Sequence, residues 1–285
     1  MTDAEVAAAA QLACLLEASA PKPGNVSPGR HFPDARYEDF LASAVAIGAP
    51  LAGAGTRALG ATIRLAVEAT ARWTRSNTNL GIVLLMAPIA RAAMTRTRTG
   101  DRRSLRDAVR DVLADTSIDD ARDVYAAIRR AAPGGLGRAS EQDVRDEPTV
   151  TLLAAMQLAA DRDGIAREYA ETFEATFAIG SPALERARRD GLGWSDAVAE
   201  TFLTLLAARV DTHVARRGGT ALAEQATRLA GEVLAHGGVR SEDGRRAIDE
   251  MDRALRDERH LGNPGTTADL TAAAILVELL ARGGM

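Results

Sequence analysis

The stretch Leu80-Gly-Ile-Val-Leu-Leu-Met-Ala-Pro-Ile-Ala-Arg-Ala-Ala93 decides the fold class. Ile82, Leu84, Leu85, Met86 and Ile89 cover more than one face of a helix with 3.6 residues per turn, so the segment should be buried on most sides. Working outward, other helices appear on both flanks. Val6, Ala9, Ala13 and Leu16 share one face of a first helix. Thr2 and Glu5 have capping-box spacing at its start, and Pro21 and Pro23 end it. Helical periodicity then predicts helices over 36–47 and 56–73, and a polar loop over 95–103. Further helices are expected over 105–113, 121–131, 149–160, 165–177, 182–190, 195–216, 221–236, 244–258 and 267–282. Gly134, Gly135 and Gly137 break the chain between two of them. Alternating β-branched runs are missing and aromatics make up only 4% of the chain. The expectation is an all-α, single-domain multi-helix bundle of about ten or more helices spanning residues 1–285.

Composition narrows the function classes. The 285 residues are 46% hydrophobic and 26% charged, which excludes disordered, collagen-like and low-complexity chains. Lys+Arg 35 against Asp+Glu 39 leaves a net charge of −4. A broad nucleic-acid surface is not expected, although a local basic pocket is compatible with that balance. Cys14 is the only cysteine, so no intrachain disulfide and no cysteine-rich zinc site can form. Acidic Asp3 and Glu5 precede the first apolar stretch, and no apolar run has the length of a membrane span. These features predict a cytoplasmic protein with no membrane partner.

The bias within the composition points to three places. Lys22 is the only lysine, and the asparagines are Asn25, Asn77, Asn79 and Asn263. All five fall in short loop-like segments of a chain rich in Ala, Arg, Gly and Asp. Lysine differs from arginine in offering a compact point charge, and asparagine offers a neutral donor and acceptor on one short stem. Turn preference alone explains the asparagines but not the lysine.

The first segment runs from Glu17 through Lys22-Pro-Gly24-Asn25 to His31, Asp34, Glu38 and Asp39, the densest collection of chemically capable side chains in the chain. Asp34 also suits an N-cap, and Glu38 and Asp39 suit the first turn of the next helix. The second segment, Ser76-Asn77-Thr78-Asn79-Leu80-Gly81, opens the apolar helix, where Thr78 or Asn79 can serve as cap or as anion site. The third, Gly262-Asn263-Pro-Gly265-Thr266-Thr267-Ala-Asp269-Leu270, opens the last helix. Thr266 and Asp269 have capping-box-like spacing there, and the same geometry suits a nucleotide phosphate. His213, His236 and His260 lack zinc-ligand spacing and read as solvated or structural. Arg216 and Arg217 suit either a helix C-terminal dipole or a polyphosphate. Neither a Walker A nor a GxGxxG motif is present.

In this order the three segments resemble the triphosphoribosyl-dephospho-coenzyme A synthase family. The likeness extends to Asp161-Arg-Asp163-Gly-Ile-Ala-Arg-Glu-Tyr169, Asp211-Thr-His-Val-Ala-Arg216 and Ala230-Gly-Glu-Val-Leu, so it covers nearly the whole chain. It implies an all-α fold and a reaction in which ATP gives its ribose, with the triphosphate attached, to 3′-dephospho-coenzyme A while adenine leaves. The product is a prosthetic-group precursor for the acyl carrier proteins of citrate lyase and malonate decarboxylase. The best-known members carry a glycine-valine-asparagine-threonine-histidine-lysine-glycine stretch in the second segment. Ser76–Gly81 lacks that histidine and lysine, and is similar to a branch from archaea and from bacteria that use tetrahydromethanopterin. The acceptor therefore stays open between dephospho-coenzyme A and a pterin-pathway precursor, and a nucleotide-binding protein without chemistry stays open beside them.

Transfer at an anomeric carbon passes through an oxocarbenium-like state, and the resemblance then suggests roles. Asp34 or Glu38 would act as base, His31 as proton relay and Glu17 as a further catalytic carboxylate. Lys22, Gly24, Gly265, Thr266 and Thr267 would meet phosphates. Asn25, Asn77, Asn79 and Asn263 would orient sugar or phosphate oxygens. Asp34 and Asp269 would hold Mg²⁺, with ATP as substrate. A homodimer is compatible with the sequence.

Overall fold

The computed structural model describes residues 1–257 and 259–283, and among these the regular secondary structure is helical, joined by long loops such as 20–36 and 132–151. The only strand-like pairings among them are two isolated bridges, Ser27 with Arg30 and Phe32 with Ala35. In chain order the helices are α1 (Asp3–Ser19), α2 (Tyr37–Ala46), α3 (Gly48–Ala52), α4 (Leu59–Thr70), α5 (Leu80–Thr99), α6 (Leu105–Ala114), α7 (Ile118–Ala131) and α8 (Leu152–Ala159). They continue with α9 (Gly164–Ala170), α10 (Ser181–Arg189), α11 (Trp194–Ala208), α12 (Thr212–Gly218), α13 (Thr220–Ala235), α14 (Glu242–Leu255) and α15 (Gly265–Arg282).

Several predicted boundaries move for local reasons. The polar stretch expected as a loop over 95–103 instead extends α5 to Thr99. The hydroxyls of Thr97 and Thr99 donate to the carbonyls of Ala93 and Thr95, and Arg96 and Arg98 favour the C-terminal dipole. Gly100, at φ 69°, ends the helix. The helix expected over 195–216 is two, because Asp211 caps a new start at α12. The helix expected over 165–177 stops at Ala170 and resumes as a π-helical turn, Ala175–Gly180, after Thr172 and Phe173 take positive φ. The expected end of the 244–258 helix, Glu258, lies outside the described residues.

The chain forms two compact units. The first comprises Met1–Leu15, Glu38–Glu174 and Leu279–Met285. There the capping box forms as predicted: Thr2 N–H donates to Glu5 at 2.7 Å and Glu5 N–H to Thr2 Oγ1 at 3.2 Å. α4 packs on α7, and α5 on α4 and α6. The α4–α7 approach depends on Gly60, where a Cβ would lie 2.5 Å from the Asp120 backbone. Asp120 also accepts the Gly60 N–H at 2.7 Å.

Helix α5 is long and apolar enough to cross a membrane, but 72% of its apolar window is buried inside the protein. It carries Pro88, which has no N–H to give the Leu84 carbonyl four residues back. The Tyr169 hydroxyl fills that gap, donating to Leu84 O at 2.7 Å.

The second unit comprises Leu16–Tyr37 and Ala175–Glu278. α11 packs on α10 and α13, and α13 on α12 and α14. Phe202, Leu206, Ala230, Val233, Met251 and Leu255 form its core. Burying its Phe, Leu, Val and Met side chains stabilises the unit by roughly 1.5–3 kcal/mol each.

Candidate active site

The first and third sequence segments meet in the second unit. The chain leaves α1 at Ser19 and turns at Pro21 and Pro23. Lys22 is fully buried, and its ammonium lies 3.1 Å from Glu17 Oε1. It also donates to the carbonyl of Ala20 at 3.1 Å and to that of Glu17. The ammonium is thus held inside the protein by two carbonyl hydrogen bonds and one ion pair. Burial works against both charges: it pushes Glu17 up and Lys22 down, and their mutual attraction opposes each shift. The phosphate role expected of Lys22 and the catalytic role expected of Glu17 do not fit this seat. The pair holds the turn in shape.

Gly24 takes φ +73°, and a Cβ there would approach Leu255 Cβ to 3.0 Å and the Gly262 carbonyl to 3.1 Å. Its N–H donates to Asp252 Oδ1 at 2.7 Å. Asp252 is buried on α14 and also receives Arg30 at 2.9 Å and the Nε of Arg256 at 2.9–3.0 Å. Arg256 further donates to the Asn25 carbonyl. A charged hub thus fixes the backbone of Gly24 and Asn25, so Gly24 N–H is not presented to a phosphate. Asp252 and Arg256 went unmarked in the sequence, where they read as polar residues of an ordinary amphipathic helix.

Asn25 Nδ2 donates to Asn263 Oδ1 at 2.8 Å, joining the two predicted segments. The Asn263 carbonyl in turn lies 3.1 Å from His213 Nδ1. Asp211, 1% exposed, accepts the N–H groups of His213 and Val214 at 2.8 and 2.9 Å. Its second oxygen accepts the N–H and the hydroxyl of Thr267, both at 2.7 Å. Thr266 and Thr212 share a hydroxyl–hydroxyl contact at 3.2 Å. The start of α15 therefore already holds an anion, the protein's own Asp211. Thr267 was expected at a phosphate and is instead committed to that carboxylate. His213, expected to be solvated or structural, packs against Gly265: a Cβ there would lie 2.4 Å from Nδ1. Burial pushes its pKa down from 6.5.

The rim is more open. His31 and Asp34 are exposed. His31 Nδ1 accepts the Tyr37 N–H at 3.3 Å, which leaves Nε2 to carry the proton in the neutral ring. Tyr37, not Asp34, begins α2, so Asp34 lies outside the helix. Phe32 and His260 lie with ring centroids 4.0 Å apart, and the Arg256 guanidinium stands 5.7 Å from the Phe32 ring. Desolvation pushes the His260 pKa down while Asp34 opposes it. Asp269 sits partly buried in α15. Among the described residues no three His, Cys, Asp or Glu side chains converge as a metal cage.

Glu38, Asn77 and Asn79 belong to the first unit. Glu38 is exposed in the first turn of α2. Asn77 Oδ1 accepts the Leu80 N–H at 3.2 Å, so Asn77 supplies the side-chain bond at the start of α5. Asn79 stands at the N-cap without a side-chain cap bond and donates to Thr70 Oγ1 at 2.9 Å.

The second unit thus defines a class: an all-helical protein with polar loops interlocked around buried carboxylates and two desolvated histidines. Residues 3–285 match the ATP:dephospho-CoA triphosphoribosyl transferase family, and the chain belongs to that family. A protein of Pseudomonas fluorescens named as a 2-(5″-triphosphoribosyl)-3′-dephosphocoenzyme-A synthase is 32% identical over 120 residues, 42% of this chain and 40% of its own. One of Pseudomonas putida with the same name is 36% identical over 117 residues, 40% of this chain and 41% of its own. The match thus spans about two fifths of these relatives. A crystal structure described as a triphosphoribosyl-dephospho-CoA synthase of Archaeoglobus fulgidus superposes with TM-score 0.64 at 28% identity, covering 84% of this chain and 97% of that one.

Proposed function

We propose that the protein transfers the triphosphoribosyl group of ATP to a hydroxyl of 3′-dephospho-coenzyme A and releases adenine. The observation that carries this reading is the family match over residues 3–285, and we treat the chain as one transferase domain on that ground. The interlocked segments support it. Asn25, Asn263, His213, Asp211 and Thr267 form one hydrogen-bonded chain, so two sequence segments more than two hundred residues apart act as a unit.

The chemistry is substitution at the anomeric carbon, with positive charge building on the ribose ring. His31 offers its Nε2–H to the departing adenine or to a phosphate oxygen. Lys22 and Glu17 hold the turn that carries Asn25, and Asp211 holds the start of α15. Mg²⁺ would neutralise charge on the triphosphate, since that ion binds through one or two carboxylates plus substrate phosphates and needs no cage of its own. Asp269 and Asp34 are the carboxylates from the two segments that would complete its shell. The reaction is placed in the cytoplasm, where ATP is available.

Thermal stability with and without Mg²⁺–ATP, paired with adenine release with and without dephospho-coenzyme A, tests the reading. Stabilisation with adenine release only in the presence of the acceptor supports it. Stabilisation without adenine points to another acceptor, such as a pterin-pathway precursor, or to a binding role. The absence of stabilisation removes ATP as the ligand.

A further inference from the structure

We propose that His213 is the proton acceptor for the attacking hydroxyl, receiving it on Nε2; the inference rests on the triphosphoribosyl-transfer reading above. Nδ1 of His213 faces the Asn263 carbonyl at 3.1 Å. A carbonyl only accepts, so Nδ1 carries the ring proton and Nε2 carries the lone pair. Nε2 has no hydrogen-bond partner among the described residues, and the His213 side chain is only partly buried.

The ring is held in this orientation from several sides. Its backbone N–H is bound to Asp211 Oδ1 at 2.8 Å. Its flank fills the space left by the absent side chain of Gly265, where a Cβ would lie 2.4 Å from Nδ1. Turning the ring over would break the Asn263 bond and place a C–H against that carbonyl. The Asn263 side chain is itself tied to Asn25, in the loop fixed by Asp252 and Arg256. A base needs a fixed, unprotonated lone pair at working pH, and this assembly provides one. The charged groups acting on the ring are Asp211, which favours the proton, and Arg216 and Arg217, which oppose it; burial outweighs all three and keeps the imidazole neutral.

The step balances. The acceptor hydroxyl gives its proton to Nε2 as its oxygen forms the bond to C1′ of the ribose. The C1′–N9 bond breaks, and its electron pair leaves on adenine, which is protonated by the His31 Nε2–H or by solvent; His31 regains any proton it gives from solvent. The imidazolium returns its proton to solvent, so the sum is hydroxyl plus ATP giving glycoside plus neutral adenine.

The test is adenine release from Mg²⁺–ATP and 3′-dephospho-coenzyme A by the wild type, His213→Ala and His213→Gln, from about pH 5 to about pH 8. His213→Gln keeps a long polar side chain in the seat if the alanine variant does not fold. The expected result is a kcat lowered by about a hundredfold or more in the variants. The wild-type rate should fall on the acid side as Nε2 protonates, and the variants should lack that limb. A folded variant with the wild-type kcat, or with the acid limb intact, overturns the inference while the transfer reading stands. A wild type that releases no adenine overturns both.

Discussion

The Asp211 carboxylate accepts the N–H and the hydroxyl of Thr267 through one oxygen, each at 2.7 Å, while its other oxygen accepts from His213 and Val214. One buried charge thereby satisfies the first turns of two helices, α12 and α15. Each helix start carries partial positive charge, and the two together offset the cost of burying the carboxylate. The same bonds fix the backbone of His213 against the start of α15.

Asp211→Asn should therefore be costly out of proportion to its size. The amide keeps one acceptor oxygen and turns an NH₂ toward backbone N–H groups, which only donate. A loss of about 3 kcal/mol is expected from unpaired buried donors. Urea unfolding should show a lower midpoint with an unchanged slope. A midpoint equal to the wild type would mean that Asp211 does not tie the two helix starts together.

Lys22 and Glu17 make a second buried ionic unit, and here the single and double variants should diverge. Lys22→Met leaves the Glu17 carboxylate buried without its partner, at a cost of about 3–5 kcal/mol. Glu17→Leu combined with Lys22→Met removes both charges and should recover most of that loss. Equal destabilisation by the single and double variants would contradict the pairing.

The two depressed histidines set a pH dependence. His213 and His260 both sit below 6.5 through desolvation. Just below that value the unfolded chain binds protons that the folded chain refuses, so stability rises with pH in that window. The melting temperature should be level above about pH 6.5 and should fall as the pH drops through the folded values. His213→Gln should flatten part of that decline; an unchanged slope would place His213 at an ordinary pKa.

Pro88 gives a local test in the first unit. Tyr169→Phe keeps the ring but strips the donor from the Leu84 carbonyl, which Pro88 cannot serve. The orphaned buried acceptor should cost about 1–3 kcal/mol. Adding Pro88→Ala restores the helical N–H and should make Tyr169→Phe much milder. Additive effects in this double-mutant cycle would refute the compensation.

The helical fold was legible because its signals are local. The apolar run from Leu80, the Thr2–Glu5 capping box and the proline stop after α1 act within a few residues. The break between α11 and α12 was not legible, because Asp211 gains its second set of donors from Thr267, 56 residues away. In the candidate site, the sequence marked two segments that the structure joins through Asn25 and Asn263, but not the partners that engage their side chains. Lys22 and Thr267 have the chemistry of phosphate ligands, and only burial and partners reveal that both are engaged inside the protein. Asp252 gave no local signal, because a carboxylate on the inner face of α14 matches many solvated ones in pattern. His213 reads in the sequence as solvated or structural, because its tautomer depends on the Asn263 carbonyl fifty residues away.

Gly265 supplies the last prediction, one that separates placement of His213 from its chemistry. A Cβ at this position would stand 2.4 Å from Nδ1 and 3.1 Å from Cε1 of the imidazole. No backbone group is among those nearest neighbours, so the side chain yields while the helix start stays in place. Gly265→Ala should then displace the ring from the Asn263 carbonyl and disturb the Nε2 lone pair without deleting it. Adenine release should fall by about tenfold or more, since small misplacements of a catalytic group are expensive. Stability should change little, because alanine suits the first turn of a helix better than glycine does. Combining Gly265→Ala with His213→Ala should cost no more activity than His213→Ala alone, as the displaced group is already gone. If the losses instead multiply, Gly265 serves the substrate directly rather than by seating His213.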